Sequence, residues 1–192
     1  MINNIIKNYQ KYRWFFTSSG KLVIGGKSAE QNEKLLTEII KNKKNYIVMH
    51  TSNPGSPFSI IISDIKNITE EDLKQASIFT ACFSQEWKKN KKKAKVDIFE
   101  LNQIGKKKNM KTGTFGVIGK INNKTIELKL YLIIQNEKLR AVGFKTGSFI
   151  LTSGKTSKEK AVDILSKKLK ISKQEIEAAI PSGRFSIKCQ EQ

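Results

Sequence analysis

An α+β fold is what this sequence predicts: one domain with a mixed or antiparallel sheet, packed helices and a C-terminal helical pair. Three observations predict it. Short runs of aromatic and β-branched residues recur between Gly, Asn and Ser turns, which is strand patterning. Stretches beginning at Ser28 and Thr69 space their apolar residues three and four apart, which is helix patterning. Beyond Gly154 the helical spacing returns twice in succession. At 192 residues the chain is long enough for one well-cored domain. The expected division is a domain over residues 1–154 and a helical extension over 155–192, packed on it or appended to it.

The elements follow in chain order. Trp14-Phe15-Phe16 reads as a strand, Ser18-Ser19-Gly20 as a tight turn, and Leu22-Val23-Ile24 as a second strand. Gly25-Gly26 then precedes a helix whose start, Ser28 with Gln31, has the capping-box pattern. Leu35, Leu36, Ile39 and Ile40 form its apolar face. Tyr46–Met49 is a buried strand, Thr51–Pro57 a loop, and Phe58–Ile62 the next strand. A helix starts at Thr69 and keeps Leu73, Ala76, Phe79 and Phe83 in register through to Trp87. After a lysine-rich segment, Val96–Leu101 alternates as a strand. From Thr114 the pattern predicts a meander: Phe115–Ile118, Thr125–Ile134 and Leu139–Phe144, with turns at Ile121-Asn122-Asn123 and Gln135-Asn136-Glu137. Ser157–Lys170 and Ser172–Ile180 are two helices closed by Pro181-Ser182-Gly183.

Charge is the second strong signal. Lys and Arg total 36 against 17 Asp and Glu, a net charge of +19, and such an excess implies a polyanionic partner. Nucleic acid is the first expectation and an anionic membrane surface the second. Only Arg13, Arg140 and Arg184 are Arg. Lys is a hydrated point charge without the planar fork that reads a guanine edge, so backbone or shape recognition is expected over base readout. An AT-rich coding bias accounts for much of the Lys-over-Arg ratio but not for the net charge.

Two lysine clusters are the candidate contacts. Lys88, Lys89, Lys91, Lys92, Lys93 and Lys95 follow Trp87, whose ring is a candidate for stacking on a base. The competing reading is a solvated linker. Lys106, Lys107, Lys108 and Lys111 form the second cluster, in a loop between Gly105 and Gly113. A strand over Val96–Ile104 would be about 30 Å long and would set the two clusters at opposite ends.

Catalytic and metal leads are weak. Gly154-Lys155-Thr156 resembles the end of a P-loop, but the required earlier glycine is Phe149. Gly113, Gly116 and Gly119 lack the dinucleotide-fingerprint spacing. His50 is the single histidine, and Cys82 and Cys189 are far apart, too few soft ligands for zinc and no disulfide framework. Cys82 falls on a helix's apolar face, as a small hydrophobe would. Met1–Tyr12 has no signal-peptide character, and no apolar run approaches the ~20 residues of a membrane span. A reducing, cytoplasmic setting, no cofactor, no membrane insertion and no enzymatic activity are therefore expected.

The residues also carry a resemblance. Trp14-Phe15, then Gly25-Gly26-Lys27, then Ala29, Gln31, Asn32 and Glu33 resemble the opening of the RNA-binding domain of NFACT proteins, with Lys27 where Arg is commoner. His50 and Asn53-Pro54-Gly55-Ser56 resemble that family's His-then-Pro-Gly-Ser loop, with Pro57 where a second His often follows. Thr112-Gly113-Thr114-Phe115 on to Gly119-Lys120 resembles its later Gly-Ser-Phe signature. Together these span roughly residues 9 to 144 in order. The resemblance implies binding of structured RNA, tRNA or ribosomal RNA, in ribosome quality control on the large subunit. It adds Lys27, His50, Gly55 and Ser56 to the lysine clusters as nucleic-acid contacts. For Gly25-Gly26 two roles stand: a phosphate-sized niche at a helix start, or a close strand-to-helix turn. For His50 the two roles are lining the binding loop and holding its turn.

NFACT proteins also carry an N-terminal domain, a helix-hairpin-helix region and a coiled coil. This chain resembles their RNA-binding domain standing alone, so tail-elongating activity is not expected of it. Rival expectations are general DNA or polyanion binding, an RNA-acting enzyme, and an adaptor that holds a protein partner through its C-terminal helices.

Overall fold

A computed structural model describes residues 2–190. Period-two alternation explains its central sheet. In β1 (Arg13–Phe16), Phe15 faces one core while Trp14 and Phe16 face another. In β2 (Leu22–Gly25), Val23 joins Phe15, and Leu22 and Ile24 join Trp14. β3 (Ile47–Thr51) and β4 (Ser59–Ile62) split in the same way, Met49 and Ile61 to one side, Val48 and Ile60 to the other. Both faces are apolar because both are covered, so these strands read as continuous hydrophobic runs.

The order in this sheet is β1-β2-β4-β3-β5-β8, with β5 spanning Lys93–Glu100 and β8 Asn122–Glu127. Every pairing recorded among the described strands is antiparallel, which resolves the mixed-or-antiparallel alternative. On one face lie α1 (Ile2–Lys7) and α2 (Ala29–Ile40), which buries Leu35, Leu36 and Ile39. On the other lies α3 (Glu70–Cys82), contributing Ala76, Phe79 and Cys82 to the larger core. Thr69 caps α3 with a full capping box: its hydroxyl accepts from Asp72 N, and the Asp72 carboxylate accepts from Thr69 N. The expected box on α2 is incomplete. Ser28 Oγ accepts from Gln31 N at 3.2 Å, but the Gln31 carboxamide reaches Lys27 N instead of its cap.

A second sheet, β10-β9-β11-β12, covers the far side of α3. It comprises β9 (Lys129–Gln135), β10 (Lys138–Val142), β11 (Phe149–Thr156) and β12 (Phe185–Cys189). The expected three-strand meander is corrected here. The run Thr125–Ile134 is two strands in two sheets, β8 against β5 and β9 against β10 and β11, and the chain changes sheet at buried Leu128, whose N–H donates to Lys92 O. Asn122 and Asn123 are strand residues rather than a turn. The Asn136-Glu137 turn is as expected, both residues at positive φ in a two-residue hairpin.

The C-terminal helices are α5 (Lys158–Leu169) and α6 (Lys173–Ala179), close to their expected bounds. The expected division at 154/155 falls inside β11. Gly154 lies there against β12, where a Cβ would come within 2.4 Å of Ser186 N. Gly154-Lys155-Thr156 is thus strand, not a phosphate loop.

Candidate nucleic-acid interface

Three loops that are distant in sequence meet over the N-terminus of α2. They are the Gly26-Lys27-Ser28 entry to α2, the His50–Phe58 connection between β3 and β4, and the segment Thr112–Phe115. The last belongs to a hairpin of β6 (Ile104–Gly105) and β7 (Gly116–Val117). Together they line an open cleft of about 590 Å³.

Three successive side chains of α2 hold the loops in place. Gln31 Oε1 accepts from Lys27 N at 2.8 Å, and its amide donates to Lys11 O. Asn32 Oδ1 accepts from Gly26 N at 3.1 Å and from Phe58 N at 3.2 Å, joining the first loop to the second. Glu33 Oε2 accepts from Gly113 N at 2.7 Å and pairs with Lys106, anchoring the third. Consecutive helical positions point about 100° apart, which lets one turn reach three separate strands of chain.

Glycine is demanded where these contacts are closest. A Cβ on Gly26 would stand 2.3 Å from Asn32 Oδ1, so the close-turn role of the glycine pair is the one the packing requires. At Gly113, with φ near +76°, a Cβ would meet Ala29 at 2.8 Å. Gly55, at φ +101°, accepts Gln85 N through its carbonyl and would clash with the Gln85 side chain. That contact seats the second loop on α4 (Gln85–Lys88).

Lys27, His50, Gly55, Ser56 and Lys88 all line the cleft. Ser56 is nonetheless a loop brace: buried, accepting from Thr51 N and donating to Pro57 O. His50 holds its turn as well as lining the cleft, with Nδ1 donating to Thr51 O at 2.6 Å and its ring 4.5 Å from that of Phe58. Burial holds its pKa below the ordinary histidine value, partly opposed by Thr51 O, Asp97 and Ser56 O.

The lysine clusters divide. Lys91, Lys93 and Lys95 are exposed, the last two on β5, which begins at Lys93. Lys89 pairs with Glu86, and Lys92 Nζ donates to Ser153 O at 2.8 Å. Lys106 pairs with Glu33 and lies over the Phe115 ring, while Lys107, Lys108 and Lys111 project from the β6–β7 hairpin. The expected straight strand between the clusters is corrected: β5 ends at Glu100, a 3₁₀ turn over Leu101–Gln103 redirects the chain, and the hairpin folds back until Thr112–Phe115 line the same cleft as Lys88.

Trp87 is also corrected. It is 0% exposed and packs 5.5 Å from Phe185 of β12, so it joins the body of the fold and offers no stacking face.

Sequence reasoning missed Arg13, Phe83 and Ser182 in the lining. Arg13 Nη1 donates to Gly26 O at 3.2 Å, and the guanidinium lies 5.3 Å over the Phe83 ring. Its rarity in a lysine-rich chain was the available signal. Among the described lining residues the cations are Arg13, Lys27 and Lys88, and the acid is Asp97, whose carboxylate accepts from Ser52 Oγ. The cleft is therefore electropositive.

The comparisons agree with this geometry. Over 82 residues, 43% of this chain, it is 35% identical to the archaeal Rqc2 homolog aRqcH of Methanocaldococcus jannaschii, covering 12% of that protein. Over 92 residues, 45% of this chain, it is 30% identical to the ribosome quality control complex subunit NEMF homolog of Drosophila melanogaster, covering 9% of it. The chain thus spans about a tenth of the length of these curated relatives. In fold it is similar to the C-terminal part of a fibronectin/fibrinogen-binding protein from Streptococcus suis, with a TM-score of 0.54 at 19% identity over 60% of this chain and 45% of that one. Residues 11–119, which contain all three cleft loops, match the NFACT protein RNA binding domain. This chain belongs to the NFACT RNA-binding domain family.

Proposed function

We propose that this chain binds structured RNA, tRNA or ribosomal RNA, without catalysis, as part of ribosome quality control in the cytoplasm, in contact with the large ribosomal subunit. The observation that carries the reading is the convergence of the three cleft loops, all within the family match, on an electropositive groove in a chain of net charge +19. The names of the relatives support the quality-control setting. Phosphates are the contacts that such a groove favours: Lys27 and Lys88 supply charge and Arg13 a planar fork. The exposed lysines of β5 and of the β6–β7 hairpin extend the track beyond it.

Fluorescence anisotropy with tRNA, ribosomal RNA fragments and duplex DNA, each from 50 to 200 mM salt, tests the reading. The expected result is tighter binding of a folded RNA, with log affinity falling linearly in log salt at a slope of about −3 to −4 for four phosphate contacts. Equal affinity for all three would replace it with general polyanion binding. Clean turnover of labelled RNA with a divalent metal, lost in His50→Ala, would replace it with an enzyme.

A further inference from the structure

We propose that Arg13, Lys27 and Arg140 seat a single phosphate group in a small cavity beside the main cleft. The cavity measures about 80 Å³ and is lined by these three cations together with Trp14, Phe83 and Ala179. Waters need roughly 10–15 Å³ each by this measure, so it holds several, the room a phosphate requires. It is far below the roughly 300–1,000 Å³ of a pocket for a drug-sized molecule.

Both guanidinium planes are held by aromatic rings, Arg140 at 4.0 Å over Trp14 and Arg13 at 5.3 Å over Phe83. Such stacking orients each fork; Arg13 Nη1 donates to Gly26 O, and the N–H groups it leaves, with those of Arg140, are what an oxyanion would meet. Arg140 Nε is buried and has no hydrogen-bond partner among the described residues. Nor is Arg13, Lys27 or Arg140 within ion-pair distance of a carboxylate among them. A fourth cation stands close by: Lys158 Nζ donates to Glu177 O at 3.0 Å, next to Ala178 and Ala179 of the cavity wall. Burial first disfavours the charged form of each of the four. Arg13 and Arg140 add to this at Lys27 and Arg13 at Lys158, while Glu175 and Tyr9 oppose it at Arg140 and Glu177 at Lys158. Converging, desolvated like charges are costly unless an anion neutralises them.

The chain places two of its three arginines here although lysine is its default base. Arg140 and Lys158 lie outside the family-matched residues 11–119, so the C-terminal half completes the site. Arg13 and Lys27 also line the main cleft, which makes the phosphate continuous with a strand lying there. That the phosphate belongs to RNA, as an internal diester or a terminal monoester, rests on the function proposed above; the anion site itself does not.

The test uses the arginine Nε–Hε signals of the full chain, of which Arg184 is the internal control. Inorganic phosphate is titrated at constant pH and ionic strength. Arg13 and Arg140 should shift together and saturate while Arg184 stays still, and Arg140→Gln should abolish the Arg13 response. If Arg140→Gln lowers the melting temperature, Arg140→Lys replaces it, with at least a fivefold weaker phosphate response expected. Unsaturable drift of all three signals, or an Arg13 response indifferent to both variants, overturns the site whether or not RNA binds. RNA oligonucleotides of one sequence with 5′-phosphate or 5′-hydroxyl ends then separate the sources. A tenfold preference for the phosphorylated end assigns a terminus. Equal affinities, both weakened in the Arg140 variant, assign a backbone phosphate.

Discussion

The Glu33 carboxylate accepts the backbone N–H of Gly113 at 2.7 Å across a separation of 80 residues. The same oxygen pairs with Lys106, and these two partners hold the Glu33 pKa below the ordinary carboxylate value, Lys106 first and the Gly113 amide second. One side chain therefore positions the third loop of the cleft over the start of α2. Glu33→Ala should leave α2 helical while releasing the β6–β7 hairpin. Hydrogen exchange at the Gly113 amide should speed up and RNA affinity should fall. Unchanged Gly113 exchange would mean that Ala29 packing alone holds the loop.

Gly26 and Asn32 form the tightest joint of the site. In Gly26→Ala the new methyl must displace Asn32 or its backbone, at a cost of roughly 2–4 kcal/mol from overpacking and a broken buried hydrogen bond. For a chain of this length that is a melting temperature lower by roughly 4–16 °C. Asn32→Ala should cost roughly 2–6 kcal/mol, because it leaves two amides, those of Gly26 and Phe58, buried without an acceptor at about 1–3 kcal/mol each. Calorimetry on both variants checks the pair.

Trp87 and its neighbouring lysines should separate cleanly. Trp87→Ala should destabilise by roughly 3–5 kcal/mol through removal of its buried packing. Replacing Lys88, Lys91, Lys93 and Lys95 by Gln should barely move the melting temperature. It should weaken RNA binding and flatten the salt slope by about 0.7–0.9 for each phosphate no longer neutralised. Lys92 is best left intact, since its ammonium is tied to Ser153 O. An unaltered salt slope would show these lysines to be a solvated edge.

Acid should loosen the fold through Asp72 and His50. For Asp72, burial alone would raise the pKa, but hydrogen bonds from Ser19, Thr17 and Thr69 outweigh it and hold the group well below the carboxylate range. Lys21 lies 3.0 Å away. A folded pKa below the unfolded one contributes stability that is complete above about pH 4 and is lost as pH falls through the folded value. His50, also depressed, has the same sign, its contribution present above about pH 6.5 and lost on further acidification. Asp72→Asn should lower stability at pH 7 by roughly 2–3 kcal/mol and flatten its decline in acid. Denaturant titrations from pH 7 down to 3 give the curves. A parallel decline in the variant would remove Asp72 from the account.

Much of the local structure was legible because local interactions decide it. The apolar runs around Phe15, Val23 and Met49, the helix start at Thr69 and the Asn136-Glu137 turn each depend on residues a few positions apart. So do the wording of Gly25–Glu33 and the lysine excess, which together point to the family and to a polyanion. Other features depend on contacts that local pattern cannot carry. Leu128 reads like any strand residue, yet the chain changes sheets there because its N–H meets Lys92 O. Trp87 sits among lysines and reads as surface, yet Phe185 buries it. The final two strands were missed, β11 because it is rich in Ser, Thr and Gly, and pairing across the sheet defines both.

The same division runs through the site. Its loops could be named because their residue types, taken in order, resemble a family's wording, although Gly55 answers to Gln85 and Gly113 to Ala29, far away in sequence. Their meeting over one helix turn, and the convergence of Arg13 with Arg140, were decided only by tertiary packing. Burial and unpaired charge are properties of what surrounds a side chain, and those surroundings come from distant parts of the sequence.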